Sequence, residues 1–563
     1  MMKRLHNNNP NPIQQDKYRA FDGSKNNASS SSMGAINSEY INIIPKDYSR
    51  GIEETKAANM ANPRAISNEV MAQSENTENK KGLSDMFWLW GQFLDHDITL
   101  GPDKKGDHAN IDIPTGDRFF DPRGTGTQTM KFERTAGTTD ETGKTVYKNA
   151  ITSYIDGSNI YGSNKETADK LRSFEDGKLI ASDSNLLPEN DKGHFLSGDV
   201  RVNENLGLTS MHTLWMREHN RLADKIGARH PRWTDEKIFQ EARKEVIAEM
   251  QAITFNEFVP QLLGNNTIER YQGYDSKVTA QISNSFSTAA YRLGHTMISP
   301  NIHRLSENGE VIAEGNLQLR DAFFQPQKLK ETGIDPILRG FASHTAQAVD
   351  PMLIDDLRNF LFGPPGAGGF DLAALNIQRG RDHNLASFND SREALGLSRI
   401  DSFDDPIWKD DFGEKLAKVY NSPDEVDLWV GGLAEKESGD SLVGDTFTLI
   451  MKDQFERLRD GDRFWYQNQF SRSKIRRLNR LKLSDIIKQN TDIHNIQDNV
   501  MKARKPVSQA QTTADTAVEN AVNGVANSAA NNSANNSAGI RNTPTVILES
   551  TTNSNIRTLD SEN

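Results

Sequence analysis

The chain has 563 residues, 35% of them hydrophobic and 26% charged, enough for a folded domain with a large core once a polar tail is set aside. Its formal net charge of −12 argues against a nucleic-acid or anionic-membrane surface, which needs clustered Lys and Arg, and favours a small, uncharged or anionic substrate. There is no cysteine, which excludes disulfides, thiolate nucleophiles, iron–sulfur clusters and Cys-ligated metals, so any metal chemistry rests on His and carboxylates.

Residues 1–40, rich in Asn, Ser and Pro, predict an N-terminal arm that lies on the surface or stays partly disordered, ahead of a packed domain over 41–505. The opening MMKRLHNNNPNPIQQDK has a basic start with no apolar stretch behind it, and no later run reaches the ~20 apolar residues of a membrane helix. A soluble chain without a Sec signal, cytoplasmic or exported by another route, is the expectation.

The segment FWLWGQFLDHDITL, residues 87–100, has a helical apolar pattern with four polar groups in its middle. On a helix Gln92, Asp95 and His96 share one face, while Asp97 points about 100° away. A His beside carboxylates is often only a structural ion pair. Four such groups inside an aromatic-rich helix suggest instead that one helix serves two sites.

Further on, Gly137, Gly143, Lys144 and Thr145 resemble a phosphate-binding loop, but five residues separate the glycines where that motif has four, and no strand precedes it. Thr145 to Tyr147 alternates as a short strand does. In NAITSYIDGSNIYGS, residues 149–163, Thr152, Tyr154, Asp156 and Ser158 alternate, and their oxygens suit a hard cation such as calcium, which takes about six to eight. The loop offers a single carboxylate, so the other reading is a turn before a helix.

In GDVRVNENLGLTSMHTLWMREHNRL, Arg201 and Glu204 stand at i and i+3, which alone reads as a solvent-facing helix salt bridge. His212 and His219 read as core or surface histidines. Helix is predicted from Thr209 to Ile226, with Leu214, Leu222 and Ile226 in line. A second helix is predicted from the Thr234 cap to Leu263, stopped by Gly264. In FSTAAYRLGHTMISP, Arg292 and His295 share a face and Gly294 leaves room beside the His for a bulky flat group, although a lone His on an apolar face is usually a core residue. From Pro506 to the last residue the composition predicts a disordered low-complexity tail, broken by an apolar patch at Val546–Leu548 that suits docking or export. The whole reads as mainly α, with long loops, a few short strands and no internal repeat.

Taken in order, WGQFLDHD, TSYIDGSNIYGS, the Arg201-to-Glu204 step before LTSMHTLWMREHNRLA, YRLGHT and ALNIQRGRDH resemble the peroxidase–cyclooxygenase superfamily, the animal-type haem peroxidases, over roughly Asn42 to Asn490. The resemblance implies a single large haem-peroxidase domain containing haem and calcium. His96 would be the distal base, Arg201 the cation that stabilises charge on the departing oxygen, and Gln92 the residue that places water or halide. His295 would hold the iron, Asn376 would accept its other N–H, and Arg292 would pair with a haem propionate. Asp95 and Glu204 correspond to the carboxylates that form ester links to haem, and Asp97 would complete the calcium site with Thr152, Tyr154, Asp156 and Ser158.

The expected reaction is reduction of hydrogen peroxide with oxidation of iodide, bromide, thiocyanate or small phenols. Asn205 stands where myeloperoxidase has a sulfonium-forming methionine, so that third link is absent and chloride is not an expected donor. The lack of cysteine departs from the disulfide-bearing mammalian members and points to a bacterial-type relative. One alternative is a fatty-acid dioxygenase of the same superfamily. The cyclooxygenases place their radical tyrosine three residues before the proximal His; here that position is Arg292, and Tyr291, a fourth residue away, is expected to face elsewhere. The other alternative, a non-catalytic adhesion or matrix protein on this fold, conflicts with retention of His96, Arg201 and His295, since buried polar groups left unpaired cost on the order of 1–3 kcal/mol each.

Overall fold

The computed structural model describes residues 17–52 and 59–504. The expected tail, with its Val546–Leu548 patch, and the first sixteen residues of the expected arm lie outside the described residues. The described chain is mainly helical, and its strands form only two-stranded antiparallel pairs, among them Gly137–Thr139 with the expected Thr145–Tyr147. Among the described residues no helix is long and apolar enough to cross a membrane.

The centre of the fold is helix α1, Asp85–Ile98. Its apolar positions carry Trp, Phe and Leu side chains that are buried on nearly every side, as expected of a helix enclosed by others. It packs against α2, Ser158–Tyr161, against α3, Leu206–Arg229, and against a 3-10 helix at Ala290–Met297. Phe93 of α1 lies nearly parallel to Trp215 of α3, ring centroids 6.4 Å apart, and Trp90 tilts against the same indole at 5.9 Å. Close approach at the start of α3 depends on Gly207, where a Cβ would lie 2.4 Å from the Phe341 ring, which also packs on Trp88 of α1.

Helix α4, Asp235–Ile253, begins at the expected cap, where the Thr234 side chain accepts from Lys237 N. It does not continue unbroken to Leu263 as the periodicity predicts. A π-helical turn covers Thr254–Phe258 before a short helix at Val259–Leu263, because Pro260 has no N–H to continue the α ladder. Gly264 ends the run with φ +88°. Helix α5, Leu372–Asp382, is capped by Asp371 and carries Asn376 inward. Arg64, fully buried, ties that cap to Asp117 by ion pairs of 2.7 and 2.8 Å.

The packed part begins about twenty residues before the Tyr40 boundary that composition suggests. Arg19 and Asn26 both bind the buried Asp462, and Met33 O accepts from the Tyr154 hydroxyl at 2.7 Å. These anchors are polar, which is why a search for bulky apolar residues passes over them.

Candidate active site

Between α1 and the 3-10 helix lies a cavity of about 370 Å³. α1 and the turn ahead of α3 contribute Gln92, Asp95, His96, Arg201 and Glu204 to its lining, and the 3-10 helix contributes Arg292, Gly294 and His295, with an apolar surround that includes Phe87, Leu293 and Leu375. A Cβ on Gly294 would meet nothing within 4 Å, so the space beside His295 is open to a flat ligand. The 3-10 geometry stacks residues three apart, which sets Arg292 directly over His295.

His295 is neutral. Burial, with the Arg292 charge behind it, pushes the imidazole down to about 3. Its Nδ1 lies 2.7 Å from Asn376 Nδ2, while Asn376 Oδ1 accepts from Arg292 Nη1 at 2.8 Å. Asn376 therefore meets His295 as the sequence suggests but with the amide reversed: its oxygen is engaged by Arg292 rather than by the imidazole N–H. The Arg292 guanidinium is itself pushed down to about 10 by burial and the Arg379 charge.

On α1, burial and the Arg201 charge hold His96 well below the usual imidazole range, so it too is a neutral base. Its Nδ1 is buried without a hydrogen bond, 3.7 Å from Asp199 Oδ1, and its Nε2 lies 4.0 Å from Glu204 Oε2. Gln92 donates to Glu204 Oε2 at 3.1 Å and accepts from Asn205 Nδ2 at 3.0 Å. Removal from bulk water raises Asp95 to about 6 and Glu204 to about 7, against the pull of Arg201.

The helix salt bridge that the spacing of Arg201 and Glu204 suggests does not form. The two residues lie in a turn ahead of α3, where Glu204 N donates to Arg201 O at 2.9 Å, and Arg201 pairs instead with Asp199. Asp199 was not among the sequence candidates, and the Gly-Asp pair just before Arg201 was its one available signal. Burial works against both charges, yet the pairing holds Asp199 down to about 2 and raises Arg201 above its ordinary value.

Asp97, next to His96, turns away from the cavity into the 149–163 loop. Its carboxylate accepts from the main-chain N–H of Asp156, Gly157 and Asn159 at 3.1–3.3 Å, and Ser158 Oγ lies 3.0 Å from its Oδ1. Thr152 Oγ1 donates to Asp156 Oδ1 at 2.9 Å, and Asp156 Oδ2 is buried without a partner among the described residues. Burial and the neighbouring Asp156 raise Asp97 to about 8, and burial raises Asp156 to about 6. The Tyr154 side chain does not join this group, since its hydroxyl is turned to Met33 O. Tyr291 also departs from expectation. It lines the cavity, its ring stacked on Phe286 at 4.6 Å and its buried hydroxyl without a partner among the described residues.

One cavity is thus lined by two histidines, His295 beside the Asn376 amide and His96 near Arg201, on a mainly helical fold. Residues 18–501 match the animal haem peroxidase family, and the chain belongs to it: it is an oxidoreductase with a haem cofactor. Peroxinectin A of Dictyostelium discoideum is 37% identical over 518 residues, covering 86% of this chain and 96% of that protein. A human peroxidasin homolog is 34% identical over 86% of this chain, which spans only 37% of the human protein. Among solved structures, peroxidase A from Dictyostelium discoideum superposes with a TM-score of 0.79 at 36% identity, over 86% of this chain and 99% of that one. Fatty acid alpha-dioxygenase from Arabidopsis thaliana gives 0.75 at 20% identity over 88% and 84%, a likeness of fold alone.

Proposed function

We propose that this peroxidase reduces hydrogen peroxide and oxidises iodide, bromide, thiocyanate or small phenols, with His96, Arg201 and Gln92 acting on peroxide and His295 holding the iron. The observation that supports this reading is one cavity lined by both His96 and His295, each held neutral by burial. The fit to haem is supported by the open space beside His295 at Gly294. When bound, the haem supplies the two electrons that reduce peroxide and recovers them from the donor.

The protein's own groups do the rest. His96, neutral at physiological pH, takes the proton from one peroxide oxygen and returns it to the other, which departs as water. Arg201, charged at any working pH, stabilises the negative charge that builds on the departing oxygen. Gln92, clamped by Glu204 and Asn205, is a fixed polar arm for water or halide. Arg292 is the partner for a haem propionate, and once drawn to it would release Asn376 Oδ1 to accept the His295 N–H. Asp95 and Glu204 are the carboxyls that would form ester links to haem. Asp97 and Asp156, with the Thr152 and Ser158 hydroxyls, would hold calcium, Tyr154 contributing no side-chain oxygen.

The test is an absorbance spectrum followed by peroxide-dependent iodide oxidation on the wild type and on His96→Ala. Loss of turnover with the haem spectrum retained is expected; full turnover in the variant overturns the assignment.

A further inference from the structure

The turn ahead of Arg201 contains a buried carboxylate, Asp199, to which the reaction above gives no part; its Oδ1 lies 3.7 Å from His96 Nδ1, beyond hydrogen-bond reach, whereas it grips Arg201 directly. Asp199 is 3% exposed. Its main-chain N–H donates to Asn159 O at 3.1 Å, and Asn159 Nδ2 donates to Phe93 O of α1 at 2.7 Å, so its seat is tied to the helix that carries His96. That seat needs glycine before it, because a Cβ on Gly198 would lie 2.1 Å from Ser158 O and 2.4 Å from Gly162 N. From this fixed point Asp199 accepts three bonds from one residue, the N, Nε and Nη2 of Arg201, each at 2.8 Å. Nη2 also donates to Thr99 O at 3.1 Å. One edge of the guanidinium is thus fully engaged on the protein side. Nη1 is left on the cavity side, 3.7 Å from Asp95 Oδ2.

We propose that Asp199 is a positioning residue that sets the direction of the Arg201 guanidinium, holding Nη1 where charge develops on the departing oxygen. The inference rests on the role of Arg201 proposed above. An arginine without this clamp has two other carboxylates to turn to, Asp95 and Glu204, both lining the same cavity. Either pairing would swing the cation out of place, and misplacement by about 1 Å is enough to slow a reaction about a hundredfold. The bidentate fork fixes a plane as well as a distance, which a single hydrogen bond does not.

The experiment follows the reaction of the haem-loaded protein with peroxide by stopped-flow absorbance in Asp199→Asn, Arg201→Ala and the double variant. Asp199→Asn is expected to lower the second-order rate constant about 10- to 100-fold. The double variant should be no slower than Arg201→Ala, because Asp199 acts through Arg201. A crystal structure of Asp199→Asn without haem, where Asp95 and Glu204 are free carboxyls, should show the guanidinium turned toward one of them. An unchanged rate constant, a full additional loss in the double variant, or an unmoved guanidinium overturns the inference. If Arg201→Ala itself reacts at the wild-type rate, the role of Arg201 falls and this inference with it; if only Asp199→Asn does, the inference alone falls. Should Asp199→Asn not fold, Asp199→Glu keeps the charge but lengthens the arm and is expected to show a loss of the same kind; a wild-type rate there is equally fatal.

Discussion

His96 and Asp97 are successive residues on one turn of α1, and they face different sites: His96 lines the cavity, whereas Asp97 is hydrogen-bonded into the 149–163 loop. The helix is a rigid link between the two, so what happens at the loop bears on where the imidazole stands.

Calcium should reverse the response of this region to pH. In the metal-free protein Asp97 and Asp156 are raised from 3.8 to about 8 and about 6, so the folded state favours their protonated forms. Raised carboxylates give stability that is present below pH 3.8 and is lost progressively as pH rises to about 8. The melting temperature after chelation is therefore expected to fall from pH 5 to 8, and millimolar calcium, if it is held by the ionised pair as proposed, should abolish the fall. A flat profile without calcium counts against the paired carboxylates, and turnover unaffected by chelation counts against the link to His96.

The ester links are tested by extraction. Asp95 and Glu204 both line the cavity and are raised toward neutrality. After a few peroxide turnovers, haem should resist acid and organic solvent in the wild type and be progressively released in Asp95→Asn, in Glu204→Gln and in the double variant. Quantitative release from the wild type would mean that neither carboxyl reacts.

Much of this site was legible in the sequence because it is local. Gln92, Asp95 and His96 fall on one helical face by spacing alone, and Arg292 and His295 lie three residues apart, a spacing that brings them together in either an α or a 3-10 helix. What spacing hid is tertiary. Arg201 and Glu204 looked like a helical pair, but they stand in a turn whose geometry is set by Gly198 packed against Ser158 O, some forty residues away. Asp199 was passed over because one carboxylate in a loop carries no pattern. The orientation of the Asn376 amide depends on Arg292, a partner that no motif encodes.

Tyr291 separates peroxidase from dioxygenase chemistry. A tyrosine lining the cavity is a feature that a lipid-oxidising radical site would use, and the Tyr291 hydroxyl is buried without a partner among the described residues. Its place four residues before His295 and its stacking on Phe286 suit a packing role. Tyr291→Phe is expected to leave iodide oxidation within about twofold of wild type, in keeping with loss of a group that the reaction does not use. Oxygen uptake with linoleate, in the absence of iodide, should be undetectable in both proteins; uptake in the wild type that vanishes in the variant would favour the dioxygenase.

Asn205 occupies the position where the resemblance to myeloperoxidase calls for methionine, and the structure gives it two tasks of its own. Its Oδ1 caps α3 by accepting from Leu208 N at 2.8 Å, and its Nδ2 holds Gln92 Oε1 at 3.0 Å. Asn205→Met removes both. Loss of the cap alone costs about 1 kcal/mol, so the melting temperature of a domain this large should drop by about 1 °C. Gln92, released on one side, keeps only Glu204 as its anchor, so halide turnover should fall rather than rise even if a sulfonium link forms. A haem-bound Asn205→Met protein that gains chloride oxidation without losing iodide turnover would show that Gln92 needs no support from this residue.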